Sequence, residues 1–232
     1  QGIAQYTSDP VFRRLVRDRA AAAEQEPDRG TGTRVSVAAI RTLLSIARRH
    51  PGPLWENLRS PLARTAVELF TDIYSRPSIS WRDLAWLRER TSLPLLLKGI
   101  LHPDDARLAV EHGVDGIIVS THGGRQVDGS IGSMQALPRV LDAVDGAVPV
   151  LLDSGVRGGT DVAKALHLGA DAVLVGRAWA YGLAAGGERG VREVIENLVA
   201  ELDLTMCLLG CSDVAQLRQA TVLRRSADGQ RE

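Results

Sequence analysis

Short apolar runs alternate with polar, helix-forming stretches along the carboxy-terminal two thirds of the chain. Four such runs are bounded by glycine, proline or charged residues: Leu93–Leu97, Gly116–Val119, Val148–Leu152 and Ala172–Val175. Uninterrupted apolar runs of this length predict strands buried on both faces, as in a parallel sheet. The stretch after the first run predicts a helix, because Pro103 opens it, acidic residues follow in its first turn and Gly113 can end it. A last helix is predicted from about Glu188 to Leu209, before Gly210.

These units repeat within the chain. Asp105–Ser120 aligns without gaps on Asp161–Gly176, and Leu93–Gly99 resembles Val148–Gly155 at nearly the same offset. Each copy reads as strand, helix, strand, and parallel strands joined by right-handed helical crossovers favour a (β/α) barrel. A doubly wound open sheet is the alternative.

The first eighty residues carry no such unit and predict helices. One helix starts at Asp9-Pro10 and gives way to Ala20–Ala23 and a polar loop, a second covers Ser36–His50, and a third runs from Ser60 to just before Pro77. Ser80 and Asp83 form a capping-box start for a helix that leads into the first strand. We therefore predict a helical insertion over residues 1–80 and an α/β region with four barrel strands over residues 81–232.

Charge and cysteine usage exclude several classes of function. The chain has 232 residues with 28 basic and 28 acidic side chains, so no positive excess favours nucleic-acid binding. No apolar run reaches the roughly 18–20 residues of a membrane span. The first residues have neither the basic nor the apolar part of a signal peptide, and the absent initiator Met suggests a fragment or processed product. Cys207 and Cys211 are four apart, which is not a metal or redox spacing, so we expect no metal, reduced thiols and a cytoplasmic location.

The predicted strand ends carry the residues with chemistry, as expected for the carboxy-terminal face of a barrel. Lys98 follows the first strand, Ser120–Arg125 the second, Asp153–Gly159 the third and Gly176-Arg177 the fourth. Glycines, backbone N–H groups and arginines after the last two strands predict a phosphate site. These glycines could alternatively serve the turns alone.

Three side chains at these ends suggest particular roles. Only two of the 28 basic residues are lysine, so Lys98 after an apolar strand suggests a need for a compact ammonium group, although a lysine extending from the barrel rim is the alternative. His122 can act as a general base near neutral pH, and Arg125 can bind a carboxylate through two hydrogen bonds. The other histidines and the four tryptophans are interpreted as surface, capping or packing residues.

The segments Leu97–Gly99, Ser120–Gln126 and Asp153–Arg157 together resemble the signature segments of the FMN-dependent α-hydroxy-acid oxidising enzymes. The resemblance extends from about Pro77 to Leu217. Gly2–Pro10, the helical insertion and Leu101–Asp105 are further similar to the lactate monooxygenase branch of that family. The implied fold is the carboxy-terminal half, strands five to eight, of a TIM (β/α)8 barrel.

The resemblance also implies a cofactor, substrates and residue roles. FMN would be the cofactor, and a small L-2-hydroxy acid, with lactate favoured, and O2 would be the substrates of a homo-oligomeric enzyme. His122 would be the base, Arg125 would bind the substrate carboxylate, and Lys98 would neutralise negative charge on the reduced flavin. Ser120 would contact the flavin, and its ribityl and phosphate groups would be held by Asp153, Ser154, Gly155, Val156, Arg157, Gly176 and Arg177.

Two departures from the family pattern affect these expectations. Thr121 stands where the family usually has Asn, and it keeps a polar side chain. The family's first four strands, which supply substrate tyrosines, the carboxylate partner of the base and further flavin contacts, have no counterpart, so we expect the chain to begin after the fourth strand. The alternatives are a lactate oxidase or dehydrogenase of the same family, or a truncated half-barrel without catalysis.

Overall fold

The computed structural model describes residues 3–25, 52–74 and 78–221, together with isolated positions between 37 and 48. The chain divides into two compact units, Gln1–Ile79 and Ser80–Glu232. The assignment of the first eighty residues as an insertion stays a prediction.

The first unit contains four described helices: α1 (Ile3–Ser8), α2 (Pro10–Gln25), α3 (Leu54–Arg59) and α4 (Leu62–Tyr74). Asp9 caps α2, because its Oδ1 accepts a hydrogen bond from the N–H of Phe12 at 2.8 Å. Phe12 and Val16 on α2 pack against Ala66 and Leu69 on α4, so apolar positions at helical spacing form a small core of their own.

The structure corrects the predicted end of the first long helix. We expected it to give way at Ala20–Ala23, whereas α2 continues through these alanines to Gln25. Alanine has the highest intrinsic helix propensity, and Ala20 is buried, so the run extends the helix instead of ending it. The helix predicted over Ser36–His50 lies mostly outside the described residues.

The second unit is a parallel sheet with helical crossovers. Its strands are β1 (Leu96–Lys98), β2 (Gly116–Val119), β3 (Val150–Leu152) and β4 (Ala172–Val173). The helices are α5 (Asp83–Arg88), α6 (Pro103–Glu111), α7 (Ser133–Val144), α8 (Gly159–His167), α9 (Arg177–Leu208) and α10 (Val214–Gln219). A doubly wound sheet reverses its strand order, whereas these strands pair in chain order, β1-β2-β3-β4, as successive barrel strands do. The predicted barrel segment is therefore confirmed.

The predicted burial on both faces holds for the central strands β2 and β3, which helices cover, whereas the outer strands β1 and β4 include exposed residues such as Leu96. Leu97 pairs with Ile117, Ile118 with Leu151 and Leu152 with Val173 in a continuous parallel register. The side chains of Ile117 and Leu152 are fully buried and belong to one apolar cluster with α7 residues Leu137 and Val140. This core fixes the four strand ends at one edge of the sheet.

Helix α9 starts earlier than the sequence pattern predicts. We expected it from Glu188, but it begins at Arg177 and is interrupted at Gly186 and Gly187, which have non-helical backbone angles. The two parts touch through their backbones at Gly182 and Gly190, where neither glycine has room for a Cβ atom. The early start places Arg177, four residues after the end of β4, in the first turn of the helix. None of the helices in the described ranges combines the length and the apolar character needed to cross a membrane.

Candidate active site

The four strand ends surround a cavity of about 500 Å³. Ten of the residues predicted for the site line it: Lys98, His122, Arg125, Asp153, Ser154, Gly155, Val156, Arg157, Gly176 and Arg177. The volume lies within the range of small-molecule sites. Ser120 does not line the cavity, because its side chain is buried beneath Lys98 and Asp153.

Lys98 and Asp153 form an ion pair at the floor of the cavity. The Lys98 Nζ lies 2.6 Å from the Asp153 Oδ2 and 2.9 Å from the Ser120 Oγ. Parallel pairing of β1, β2 and β3 brings these residues together across three strands. The ammonium group predicted from the rarity of lysine therefore faces the cavity while a carboxylate holds it in place.

The hydroxyl groups of Ser120 and Ser154 complete this network. Both donate their single proton to the Asp153 Oδ2, Ser154 at 3.1 Å. Partial burial raises the pKa of Asp153, but hydrogen bonds from Lys98, Ser120 and Ser154 and the charge of Lys98 outweigh it and hold this pKa below its ordinary value. Asp153 is thus ionised near neutral pH and fixes the position of Lys98.

His122 opens a short 3₁₀ turn, His122–Gly124, directly after β2. Its backbone is left-handed, with φ of 52°, and Gly123 and Gly124 follow with φ of 71° and 70°. The imidazole faces Gly99, where an added Cβ would lie 3.4 Å from the His122 Cε1. Gly99 itself has φ of 104°, a conformation that favours glycine. Two left-handed turns therefore bring the ring next to Gly99.

The two helix starts near the cavity differ in what they meet. The N–H of Gly159 at the start of α8 donates to the Glu201 Oε2 at 2.7 Å, so a carboxylate already occupies that position. The start of α9 instead meets the cavity through Gly176, Arg177 and Ala178. The Arg177 Nη2 donates to the carbonyl of Gly123 at 3.0 Å and so links the β4 end to the His122 turn.

This side of the cavity has the donors that a phosphate group needs. Gly155 has φ of 83° and open space where a Cβ would be, so its backbone can approach a ligand closely. The Arg157 side chain lines the cavity and is exposed, and no partner of its guanidinium was found among residues 3–25, 52–74 and 78–221. Two arginines, a left-handed glycine and a helix start fit the phosphate and ribityl end of FMN.

Three lining residues escaped the sequence prediction: Leu174, Ala178 and Tyr181. Leu174 was placed inside the fourth strand, whereas β4 ends at Val173 and Leu174 lines the cavity wall. Tyr181 lies one helical turn after Arg177 on α9, so the correct start of that helix would have identified it.

The other described histidines and the two cysteines lie outside the cavity. His102 caps α6, His112 stacks on Trp81 with ring centres 5.8 Å apart, and the His167 Nδ1 contacts the Leu217 carbonyl. Cys207 and Cys211 are free thiols. Over the described ranges, no cluster of three or more metal-ligating side chains was found.

Comparison with known proteins places this geometry in context. The family model described as FMN-dependent dehydrogenase matches residues 15–224. The L-lactate oxidase of Lysinibacillus sphaericus is 53% identical over 148 residues, which are 64% of this chain and 38% of that protein. Human 2-hydroxyacid oxidase 1 is 55% identical over 146 residues, 63% of this chain and 40% of that protein. The chain thus spans about two fifths of the length of these relatives.

Solved structures agree with the sequence matches. Mandelate oxidase superposes with a TM-score of 0.59 and 46% identity, over 62% of this chain and 42% of that protein. Another mandelate oxidase structure, described as carrying a monooxide adduct of FMN, gives the same TM-score and identity over 46% of that chain.

Proposed function

Because the chain belongs to the FMN-dependent dehydrogenase family, whose cofactor is FMN, we propose that it contributes the base and the flavin-phosphate side of an active site that oxidises a small L-2-hydroxy acid. The observation that carries this proposal is the single cavity lined by Lys98, His122, Arg125 and the arginines at positions 157 and 177. The reaction needs a base and a group that binds the substrate carboxylate, and the cofactor needs a phosphate site. The strand-end face supplies all three together.

The residue roles follow from the position of each group. Arg125 binds the substrate carboxylate, because its guanidinium can donate two parallel hydrogen bonds to it. His122 removes the proton of the substrate hydroxyl group as general base. FMN, when bound, supplies the two-electron acceptor that turns the 2-hydroxy acid into a 2-oxo acid.

The cofactor contacts divide between the two halves of the cavity. Gly155, Arg157, Gly176 and Arg177 would hold the phosphate and ribityl end. Lys98 would stabilise negative charge at the ring end, where a fixed ammonium is effective because it needs no reorganisation during the reaction. Its ion pair with Asp153 keeps it in place, and Ser120 acts beneath that pair instead of as a lining group.

Lactate is the proposed substrate, and cleavage to acetate, CO2 and water is the proposed outcome with O2. The resemblance of Gly2–Pro10 and Leu101–Asp105 to the monooxygenase branch supports this outcome. The second candidate is a lactate oxidase, which would yield pyruvate and hydrogen peroxide, and the 53% identity to the L-lactate oxidase of Lysinibacillus sphaericus favours it. A cytoplasmic homo-oligomer completes the proposal.

Flavin reduction by lactate tests the function. The chain is loaded with FMN, alone and with the separately expressed segment of a full-length relative that it does not match, and L-lactate is added without oxygen. We expect loss of the visible absorbance of oxidised flavin, formation of pyruvate in an amount equal to the flavin, and no reaction with D-lactate. Absence of lactate-dependent bleaching in both preparations contradicts the proposal.

Product analysis in air then separates the two outcomes. Acetate and CO2 without peroxide support the monooxygenase, whereas equal amounts of pyruvate and hydrogen peroxide support the oxidase. Light scattering in the same samples gives the oligomeric state.

A further inference from the structure

Ser154 adopts a backbone conformation that serine rarely takes. Its φ is 82°, in the left-handed region where glycine is favoured, and the next residue, Gly155, has nearly the same angle. A glycine at position 154 would meet this requirement without strain. The feature that serine adds over glycine at this position is its hydroxyl group.

The Ser154 hydroxyl holds the turn that carries His122. Its Oγ accepts hydrogen bonds from the N–H of Thr121 at 3.2 Å and from the N–H of Gly123 at 2.9 Å. Its own proton goes to the Asp153 Oδ2. The two amides are the immediate neighbours of His122 along the chain, so one oxygen atom fixes the backbone on both sides of the base.

The amide of His122 itself is fixed in the same way. The N–H of His122 donates to the Ser120 Oγ at 3.0 Å, and Ser120 also donates to Asp153. Thr121 has right-handed backbone angles, with φ of −98° and ψ of 12°, and His122 is left-handed with φ of 52°. Neighbouring residues of opposite handedness turn successive N–H groups toward one point and form a concave nest that usually receives an anion. Here two serine hydroxyls, both oriented by the Asp153 carboxylate, occupy that nest.

We propose that Ser154 is a positioning residue for His122 and not primarily a cofactor ligand. Its hydroxyl closes the nest formed by residues 121–123 and thereby keeps the imidazole directed at Gly99 and the cavity. The inference rests on the proposed role of His122 as base. It assigns to Ser154 a function different from the cofactor contact that the family resemblance implies.

Two substitutions separate the hydroxyl from the backbone strain. Ser154→Ala removes the hydroxyl and keeps the strain, whereas Ser154→Gly removes both. Asp145→Gly is the matched control, because Asp145 also has a left-handed backbone, with φ of 48°, but ends α7 and does not line the cavity. Ser154→Gly keeps the test informative if the alanine variant does not fold.

The full chain is studied by NMR without flavin. In both Ser154 variants we expect the amides of Thr121 and Gly123 to exchange about tenfold faster, because they lose a protein acceptor. The amide of Ile117 in β2 stays protected if the fold is intact. The NOE between the His122 ring proton on Cε1 and the Gly99 Hα weakens or disappears. Asp145→Gly leaves the exchange rates and the NOE unchanged.

Cofactor affinity and turnover provide the second readout. We expect the Kd for FMN to change less than about twofold in Ser154→Gly, while kcat for lactate falls about tenfold and KM stays nearly constant. Unchanged exchange at Thr121 and Gly123, or an FMN Kd raised tenfold with the NOE retained, would overturn the proposal. If the unsubstituted enzyme does not oxidise lactate, the proposed function fails, and the exchange and NOE data still decide the role of Ser154 in the turn.

Discussion

The two strand–helix–strand repeats, β1-α6-β2 and β3-α8-β4, are alike where their strands begin. In the first, Asp115 accepts a hydrogen bond from the N–H of Leu95 and pairs with Arg88. In the second, the equivalent Asp171 accepts from the N–H of Val150 and lies 3.5 Å from Arg218. The backbone bonds match as well, since Asp115 N–H donates to Leu95 and Asp171 N–H to Val150, both at 2.8 Å.

The same repeats differ where their strands end. Lys98 in the first and Asp153 in the second occupy equivalent positions, yet they carry opposite charges and pair with each other. A left-handed glycine follows Lys98, whereas the left-handed Ser154 follows Asp153. At the strand starts the two repeats thus share the same stabilising hydrogen bonds, whereas at the strand ends they carry different functional side chains. Barrels generally separate stability and catalysis between these two ends. The predictions below test whether that separation is real.

The largest effect should come from His122, which belongs only to the strand-end face. His122→Gln removes the proposed base but keeps a polar side chain of similar size. We expect kcat for lactate to fall roughly 10²- to 10⁴-fold with little change in the melting temperature. Stopped-flow flavin reduction and thermal denaturation measure the two. A rate within threefold of the unsubstituted enzyme contradicts the role of His122 as base.

The next largest effect should come from Lys98. Lys98→Met removes the charge at similar length, and we expect flavin reduction to slow roughly 10²- to 10³-fold because a fixed charge near the reacting group is lost. Lys164→Met is the control, since Lys164 is the only other lysine and its side chain is 67% exposed on α8. Equal rates of flavin reduction in the two variants would contradict the proposed role of the Lys98 charge.

A stability effect should distinguish the starts of the two repeat helices. Gly159 opens α8 where Pro103 opens α6, and a methyl group at Gly159 would overlap the backbone of Glu201 and Leu202. We expect Gly159→Ala to lower the free energy of unfolding by about 1–3 kcal/mol. Urea denaturation checks this against Gly132→Ala, where the nearest atom to the new Cβ is the end of the flexible Gln135 side chain at 3.4 Å. Similar midpoints for both variants would contradict the packing argument.

The smallest effect should be a pH dependence from Asp153. The pKa of Asp153 in the folded chain is lowered from its ordinary value of 3.8. Its ionised form therefore stabilises the fold at pH values above 3.8, and this stabilisation is lost as the pH falls through the pKa of the folded chain. As the pH is lowered from about 4, the free energy of unfolding should therefore fall less in Asp153→Asn than in the unsubstituted chain. Urea midpoints across that range measure the difference. Parallel pH profiles would show that the ion pair with Lys98 does not stabilise the fold.

The sequence predicted β2 with correct bounds because it is apolar, short and buried on both faces. It predicted β4 two residues too long, because Leu174 and Val175 are as apolar as the strand although Leu174 lines the cavity. Helix α7 was not predicted, although Leu137, Val140 and Val144 have helical spacing.

The sequence predicted which residues belong to the site better than it predicted their contacts. Residues at the strand ends of a barrel face its cavity. Ten residues predicted from the strand ends therefore line the cavity. The partners of these residues are distant in the chain: Glu201 closes the start of α8 from 42 positions away, and Ser154 reaches Thr121 across 33. No local pattern encodes such pairs, because they depend on how separate elements pack.

The central claim is that the strand-end face of this chain carries a site for the phosphate of the flavin. The most direct test compares the affinities of the chain for FMN and for riboflavin. The two ligands differ only in the phosphate, and flavin fluorescence gives the Kd of each for the full chain. We predict that FMN binds at least about tenfold more tightly, because charge-assisted hydrogen bonds to phosphate are strong. We also predict that Arg157→Ala removes most of this difference. Equal affinity for both ligands, or a preference for FMN that Arg157→Ala leaves intact, would contradict the account.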